Sequence, residues 1–149
     1  MTGYLSPEQI ESVLRGQKIG RIGCYADGKV LISPLMYAYD GSTIYGHSDE
    51  GLKLQMMRKN PNVCFEVEQT ASLSNWQTVV VWGTFELLND DKDIAHAKKL
   101  LREQFNFEEH DPTRPSARMF EPTSTAVEMK SFIFRVKIQE KTGKFERTR

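Results

Sequence analysis

The feature that most constrains the fold is a two-residue turn, Asp27-Gly28, between two runs rich in apolar residues. Asp-Gly between such runs is typical of a β-hairpin, because both turn residues adopt positive φ values. The pattern predicts strands at residues 19–25 and 30–39. A second turn at residues 40–42 leads into a third strand at residues 43–47. Strands joined by such tight turns pair in an antiparallel manner.

Three further strands and three helices complete the predicted order. The strands are expected at residues 63–68, 78–87 and 132–138, and the helices at residues 7–16, at residues 49–59 and after a cap at residues 89–91. Six antiparallel strands need closure or cover to protect their edges. We therefore predict one mainly β (α+β) domain over residues 1–149, a six-stranded antiparallel barrel with flanking helices. Residues 106–130 show no pattern that assigns them.

Charge and cysteine usage narrow the class of protein. Twenty basic residues balance twenty acidic ones, which does not favour nucleic acid or an anionic membrane as the main partner. The longest apolar runs, such as residues 79–82, are too short to span a bilayer, and the N-terminus lacks a secretory pattern. Cys24 and Cys64 each lie within an apolar stretch, which favours free thiols and a cytoplasmic location.

The segment from His47 to Lys53 runs from a strand end into the first turn of a predicted helix. Unpaired backbone N–H groups and a partial positive charge at such a turn favour a phosphate. His47, Ser48 and Lys53 would add donors, whereas Asp49 and Glu50 must point away from an anion. A plain helix cap with a solvated lysine explains the same residues, so both interpretations stay open.

Pro34 interrupts the second predicted strand. Because proline cannot donate to a β-ladder, it predicts an edge, a bulge or an opening of the sheet. Leu35, Met36 and Tyr37 follow it and would offer an apolar wall to an aromatic ring. Ordinary core packing at an edge strand is the alternative for these three residues.

The remaining polar and aromatic residues give weaker signals. Trp76 would stack on a ring and Thr78 would hydrogen-bond its edge, although Trp76 and Trp82 equally suit a core or a dimer interface. His47, His96 and His110 are widely spaced and form no metal-ligand pattern with the cysteines. Neither a nucleophile elbow nor a Walker phosphate loop is present. The sequence therefore predicts no metal site and identifies no catalytic residue.

Six short segments, in a fixed order between about residues 5 and 104, carry a family resemblance. They are residues 21–24, 34–41, 44–48, 51–53, 60–65 and 78–83. This ordered set resembles the pyridoxamine 5′-phosphate oxidase-like FMN-binding proteins, most closely the branch that contains the nitroimidazole-resistance reductases. The true oxidases end in a basic motif containing Trp and Arg, which residues 142–149 lack, so the resemblance does not extend to vitamin B6 oxidation.

The resemblance implies a split β-barrel that forms a homodimer and binds two FMN molecules in clefts between the subunits. By position, the residues expected to face the flavin ring are Pro34, Leu35, Met36 and Tyr37. Those expected around the phosphate are His47, Ser48, Leu52 and Lys53. Thr78 is expected to offer a polar side chain to the flavin. The implied activity is an FMN-dependent oxidoreductase acting on a small molecule, with His47 as the one plausible proton donor. A non-catalytic flavin-binding or haem-binding protein on the same barrel is the alternative.

Overall fold

The computed structural model describes residues 1–109 and 131–148, and these contain seven strands and three helices. The strands are β1 (Thr2–Tyr4), β2 (Ile19–Ala26), β3 (Lys29–Tyr39), β4 (Thr43–Asp49), β5 (Asn62–Ser72), β6 (Asn75–Leu87) and β7 (Ser131–Glu146). The helices are α1 (Pro7–Gly16), α2 (Leu52–Lys59) and α3 (Asp91–Glu109).

The strands form one antiparallel sheet that closes on itself. Their order is β1-β7-β4-β3-β2-β5-β6, and β7 also pairs with β6. Because β7 uses one edge for β4 and the other for β6, six strands form a closed barrel. This confirms the predicted mainly β antiparallel architecture with flanking helices.

Two local signals act as the sequence predicts. Asp27 and Gly28 both have positive φ values, 53° and 76°, as the tight turn between β2 and β3 requires. The register of the β6–β7 pair shifts between Trp82 and Gly83, so the strand bulges there. A Cβ atom on Gly83 would lie 2.3 Å from the backbone oxygen of Lys137, which excludes any larger residue at this close approach.

Helix α1 covers part of the barrel. Ser6 and Gln9 form a reciprocal capping box at its start. Ile10, Val13 and Leu14 are the buried face of the helix and join the main core. The predicted helix over residues 7–16 is therefore confirmed at both ends.

The structure differs from the predicted boundaries in three places. β1 is a strand that the sequence pattern missed, because three residues are too few to show alternation. β4 continues to Asp49, so α2 begins at Leu52 rather than at residue 49. β5 and β6 continue to a turn at residues 73–74, and β7 is one strand from Ser131 to Glu146. Of the unassigned segment, residues 106–109 extend α3 and residues 110–130 lie outside the described residues.

The barrel interior holds the main core. Its largest fully buried side chains include those of Tyr37, Phe65, Phe134, Leu14, Ile22 and Ile44. Cys24 and Cys64 are both free thiols, as predicted, with Cys24 buried and Cys64 half-buried. Among the helices of the described ranges, none has the length and apolar character needed to cross a membrane. Within the same ranges, no three His, Cys, Asp or Glu side chains are grouped to hold a metal ion.

Candidate functional site

The barrel wall opens between β3 and β4. These strands pair only from Tyr37↔Gly46 to Tyr39↔Ile44. Beyond this point β3 stays paired with β2 as far as Lys29, while β4 stays paired with β7 as far as Asp49. Among the strands that the structure describes, none pairs with the Pro34 part of β3 on the β4 side, so of the edge, bulge or opening predicted from this proline the structure has an opening.

The side chains of residues 34–37 alternate between the two faces of β3. Pro34 is exposed and Met36 is half-buried, whereas Leu35 is 4% exposed and Tyr37 fully buried. The Tyr37 hydroxyl donates to the Leu14 carbonyl at 2.6 Å, and burial raises the pKa of this phenol. The buried side chains of Leu35 and Tyr37 fit the alternative of ordinary core packing, because alternation turns them into the core. Contact between residues 34–37 and a flavin ring stays a prediction.

His47 and Ser48 lie on β4 where the wall has opened, and they point in opposite directions. The His47 side chain is exposed, whereas Ser48 is 5% exposed. The Ser48 hydroxyl donates to the carbonyl of Asp49 at 3.0 Å. Ser48 thus stabilises the turn that leaves β4, and its hydroxyl proton is already engaged.

Helix α2 begins directly after this turn. Its N-cap residue, Gly51, provides no side-chain hydrogen bond, and its first turn contains no acidic residue. The first intrahelical bond in this turn joins the Gln55 N–H to the Gly51 carbonyl. The N–H groups of residues 52–54 therefore have no intrahelical acceptor, and they carry the positive end of the helix dipole. Leu52, beside them, is exposed.

Lys53 is the positive charge of this first turn. Burial lowers the pKa of its ammonium below the ordinary value, an effect partly opposed by Cys24 and Asp49. Cys24 is buried on β2 and pairs with Leu31 of β3, so Lys53 reaches from α2 back towards the two strands beside the opening. Desolvation also raises the pKa of the Cys24 thiol. The site therefore combines a partly desolvated ammonium with an uncapped helix turn.

The two acidic residues before α2 have different surroundings. The Glu50 carboxylate accepts from Arg58, in the last turn of α2, at 2.9 Å. Asp49 is exposed and its charge acts on Lys53. The Glu50 carboxylate is thus paired with a specific cation, whereas the expectation that both carboxylates point away from an anion stays a prediction.

Thr78 is not brought to the opening within one chain. Its strand, β6, is three strands away from β3 in either direction around the barrel, so the two strands lie on opposite walls. Its hydroxyl donates to Glu66 at 2.6 Å. Trp76, two residues earlier, donates from its indole to Glu146 at 3.2 Å. Both side chains are therefore held on the outer surface of the barrel.

The outside of β2, β3, β5 and β6 has an exposed apolar face, of which sequence reasoning identified only Trp82, as a residue of the core or of a dimer interface. Tyr25, Val30, Ile32 and Trp82 are between 41% and 68% exposed. With the half-buried Cys64 they line a groove of about 480 Å³. The sequence signal for this face is that residues 30–35 include apolar residues at both odd and even positions. A strand with one solvated face would instead alternate apolar and polar residues.

Comparisons with known proteins agree with this fold. A family model described as pyridoxamine 5′-phosphate oxidase matches residues 6–145, well beyond the segments that carry the sequence resemblance. An uncharacterized protein from Rhizobium meliloti is 28% identical over 144 residues, covering 94% of this chain and 92% of the relative. A solved FAD-binding protein from Mesorhizobium loti is 28% identical, with a TM-score of 0.73 over 97% of this chain and 98% of the other. The fold is also that of a candidate 5-nitroimidazole antibiotic resistance protein from Bacteroides thetaiotaomicron, 20% identical, with a TM-score of 0.71 over 97% and 87% of the two chains.

Proposed function

The chain belongs to the pyridoxamine 5′-phosphate oxidase family, and from that premise we propose that it is a flavoprotein that binds FMN. The observation that carries the proposal is the start of α2, where Lys53 lies beside backbone N–H groups that no side chain caps. This combination suits a phosphate, because the helix dipole and the ammonium both favour an anion. The similar protein from Mesorhizobium loti is described as FAD-binding, which supports a flavin as the ligand.

The donor set favours FMN over a larger flavin nucleotide. One lysine and one helix turn match the single phosphate of FMN. The ring would lie at the opening of the wall, against the exposed outer edge of β3 at Pro34 and Met36. Leu35 and Tyr37 would contribute only their backbone there, since their side chains belong to the core.

A homodimer would complete the site. Thr78 lies on the outer face, three strand spacings from β3, so it would reach a flavin only from a second copy of the chain. The apolar face that contains Tyr25, Ile32 and Trp82 would be covered in the same contact. Burying these side chains supplies the hydrophobic free energy that a stable dimer needs.

The proposed activity is oxidation or reduction of a small molecule, in the cytoplasm, where the free thiols of Cys24 and Cys64 persist. A bound flavin supplies the electron transfer, so the residues of the chain need only orient the ligands and exclude water. His47 is exposed at the opening, where its imidazole can exchange a proton with a substrate. Lys53 would hold the phosphate end, and Ser48 would contribute there only by exchanging its bond to the Asp49 carbonyl for one to the phosphate.

The first experiment is the visible absorption spectrum of the purified protein, followed by mass analysis of any released ligand. We expect a flavin spectrum and a released mass equal to that of FMN. A released mass equal to that of FAD would replace FMN in the proposal, and a Soret band would replace flavin by haem. A colourless protein that does not bind added FMN would contradict it. Turnover of a nicotinamide cofactor with an electron acceptor then distinguishes an oxidoreductase from a non-catalytic binder.

A further inference from the structure

Glu50 places a negative charge next to the proposed phosphate site. It directly precedes Gly51, the residue from which α2 begins. A carboxylate at this point would accept the N–H groups of the first turn, as acidic side chains commonly do at helix starts. It would then compete with a phosphate for the same donors. Something must therefore keep the Glu50 carboxylate away from the first turn.

Arg58, in the last turn of α2, pairs with that carboxylate. Its Nη1 atom donates to Glu50 Oε1 at 2.9 Å. The bond occupies one carboxylate oxygen of Glu50 and places a positive charge beside it, so this carboxylate is already paired and does not need the N–H groups of residues 52–54. Both side chains are about 40% exposed, so the bond is a surface ion pair that directs a side chain rather than a major source of stability.

A second contact fixes Arg58 itself. Its guanidinium lies over the Phe132 ring, 5.2 Å from the ring centre. Phe132 is on β7 and pairs with Ser48 of β4, two residues before Glu50. The arginine is therefore attached to the barrel wall close to the point where the β4–α2 turn begins, which limits how far the Glu50 side chain can swing.

The next residue of the helix provides a natural comparison. Lys59 also carries a positive charge in the last turn of α2, but it pairs with Asp27 in the β2–β3 turn at 2.6 Å. Its bond involves no residue of the β4–α2 turn. Loss of Lys59 removes the same charge from the same helix end without releasing Glu50.

We propose that Arg58 is a positioning residue of the phosphate site, acting through Glu50. By pairing with the Glu50 carboxylate, it leaves the N–H groups of the first turn available to an anion. This inference rests on the proposed function, because it assumes that a flavin phosphate binds at the first turn. Arg58 itself does not contact the ligand.

The test is a double-mutant cycle on FMN binding to the full chain, freed of bound flavin and followed by flavin fluorescence. The variants are Arg58→Met, Glu50→Gln, the double variant and, as the matched control, Lys59→Met. We expect Arg58→Met to weaken FMN binding about three- to tenfold, because a released carboxylate repels the phosphate at short range. Riboflavin, which has no phosphate, should bind this variant as it binds the wild type.

Rescue separates positioning from a general structural role. The double variant should return to within about twofold of the wild-type Kd for FMN, since it contains no carboxylate to release. Glu50→Gln alone and Lys59→Met should also remain within about twofold. The inference is overturned if Arg58→Met behaves like Lys59→Met, if it weakens riboflavin binding equally, or if Glu50→Gln fails to rescue it. A wild-type protein that binds neither ligand would instead overturn the proposed function.

Discussion

The two short helices, α1 and α2, differ in whether side chains of the protein hydrogen-bond to their terminal backbone groups. At α1, Ser6 and Gln9 cap the first turn, and the Tyr37 hydroxyl donates to the Leu14 carbonyl near the end of the helix. At α2, no side chain caps the first turn, and within the described residues Lys53 forms no salt bridge. One helix therefore satisfies its terminal groups within the protein, and the other leaves donors available to a ligand.

The same contrast extends to the charged side chains. Glu11 of α1 accepts from Tyr39 at 2.8 Å and from Lys141 at 2.6 Å, which joins the helix to β3 and β7. Lys53 of α2 is partly desolvated and forms no salt bridge with any residue that the structure describes, and its burial disfavours the charged form. Polar groups that are paired within the protein stabilise the fold, whereas unpaired groups at a site remain available to bind a ligand.

The largest expected effect comes from Lys53→Met. Loss of a charged donor to a phosphate should weaken FMN binding roughly 10- to 100-fold, as expected for about 1.5–3 kcal/mol per hydrogen bond to a charged group. The free energy of unfolding of the flavin-free protein should stay the same or rise, because a half-buried ammonium is replaced by an apolar side chain. Fluorescence titration and urea unfolding measure the two quantities.

The pH dependence of FMN binding sharpens this prediction. Because burial lowers the pKa of Lys53 below its ordinary value of 10.5, the wild-type affinity for FMN should fall as the pH rises towards that lowered value. Lys53→Met should not show this fall. An unchanged affinity in Lys53→Met would place the phosphate elsewhere and remove the contrast between the two helices.

The features predictable from sequence are those set by a few neighbouring residues. The capping box at Ser6, the positive φ at Asp27 and the interrupted pairing at Pro34 each follow from one residue type in one backbone position. Their physical causes are local, so they do not depend on the rest of the chain. The predicted phosphate segment also begins a helix, although at Leu52, because pairing with β7 extends β4.

The features that could not be predicted depend on distant parts of the chain. β1 exists because it pairs with the end of β7, more than 140 residues away along the sequence. The Glu50–Arg58 pair needs the position of Phe132 on β7 as well as the helix. The inward direction of Leu35 and Tyr37 follows from strand alternation. In a continuous apolar run, however, the sequence does not show whether the odd-numbered or the even-numbered residues face the core.

A smaller effect is expected from Glu11→Gln at the α1 end. Burial raises the pKa of Glu11, but the hydrogen bonds from Lys141 and Tyr39 outweigh it, so its pKa lies below the ordinary value of 4.5. The free energy of unfolding should fall by about 1 kcal/mol at pH 7, with FMN affinity unchanged. Urea unfolding at several pH values measures the loss.

The sign of the pH dependence follows from the lowered pKa of Glu11. Its stabilising contribution is complete above pH 4.5 and is lost as the pH falls through the lowered value in the folded state. The difference between wild type and Glu11→Gln should therefore shrink in acid. Glu140→Gln, which removes an exposed carboxylate beside Lys141, is the control and should cost little at any pH. A constant difference across pH would contradict this account of Glu11.

The smallest effect is expected from Lys59→Met. This variant tests whether two ion pairs of equal nitrogen–oxygen distance contribute equally to stability. The Lys59–Asp27 and Lys141–Glu11 pairs both measure 2.6 Å between nitrogen and oxygen. The first pair is 64% and 72% exposed, and the second only 28% and 34%. Water and salt screen the exposed pair, so Lys59→Met should change the free energy of unfolding by less than about 0.5 kcal/mol. If urea unfolding instead shows that Lys59→Met lowers the free energy of unfolding as much as Glu11→Gln does, then burial does not decide how much each ion pair stabilises the fold.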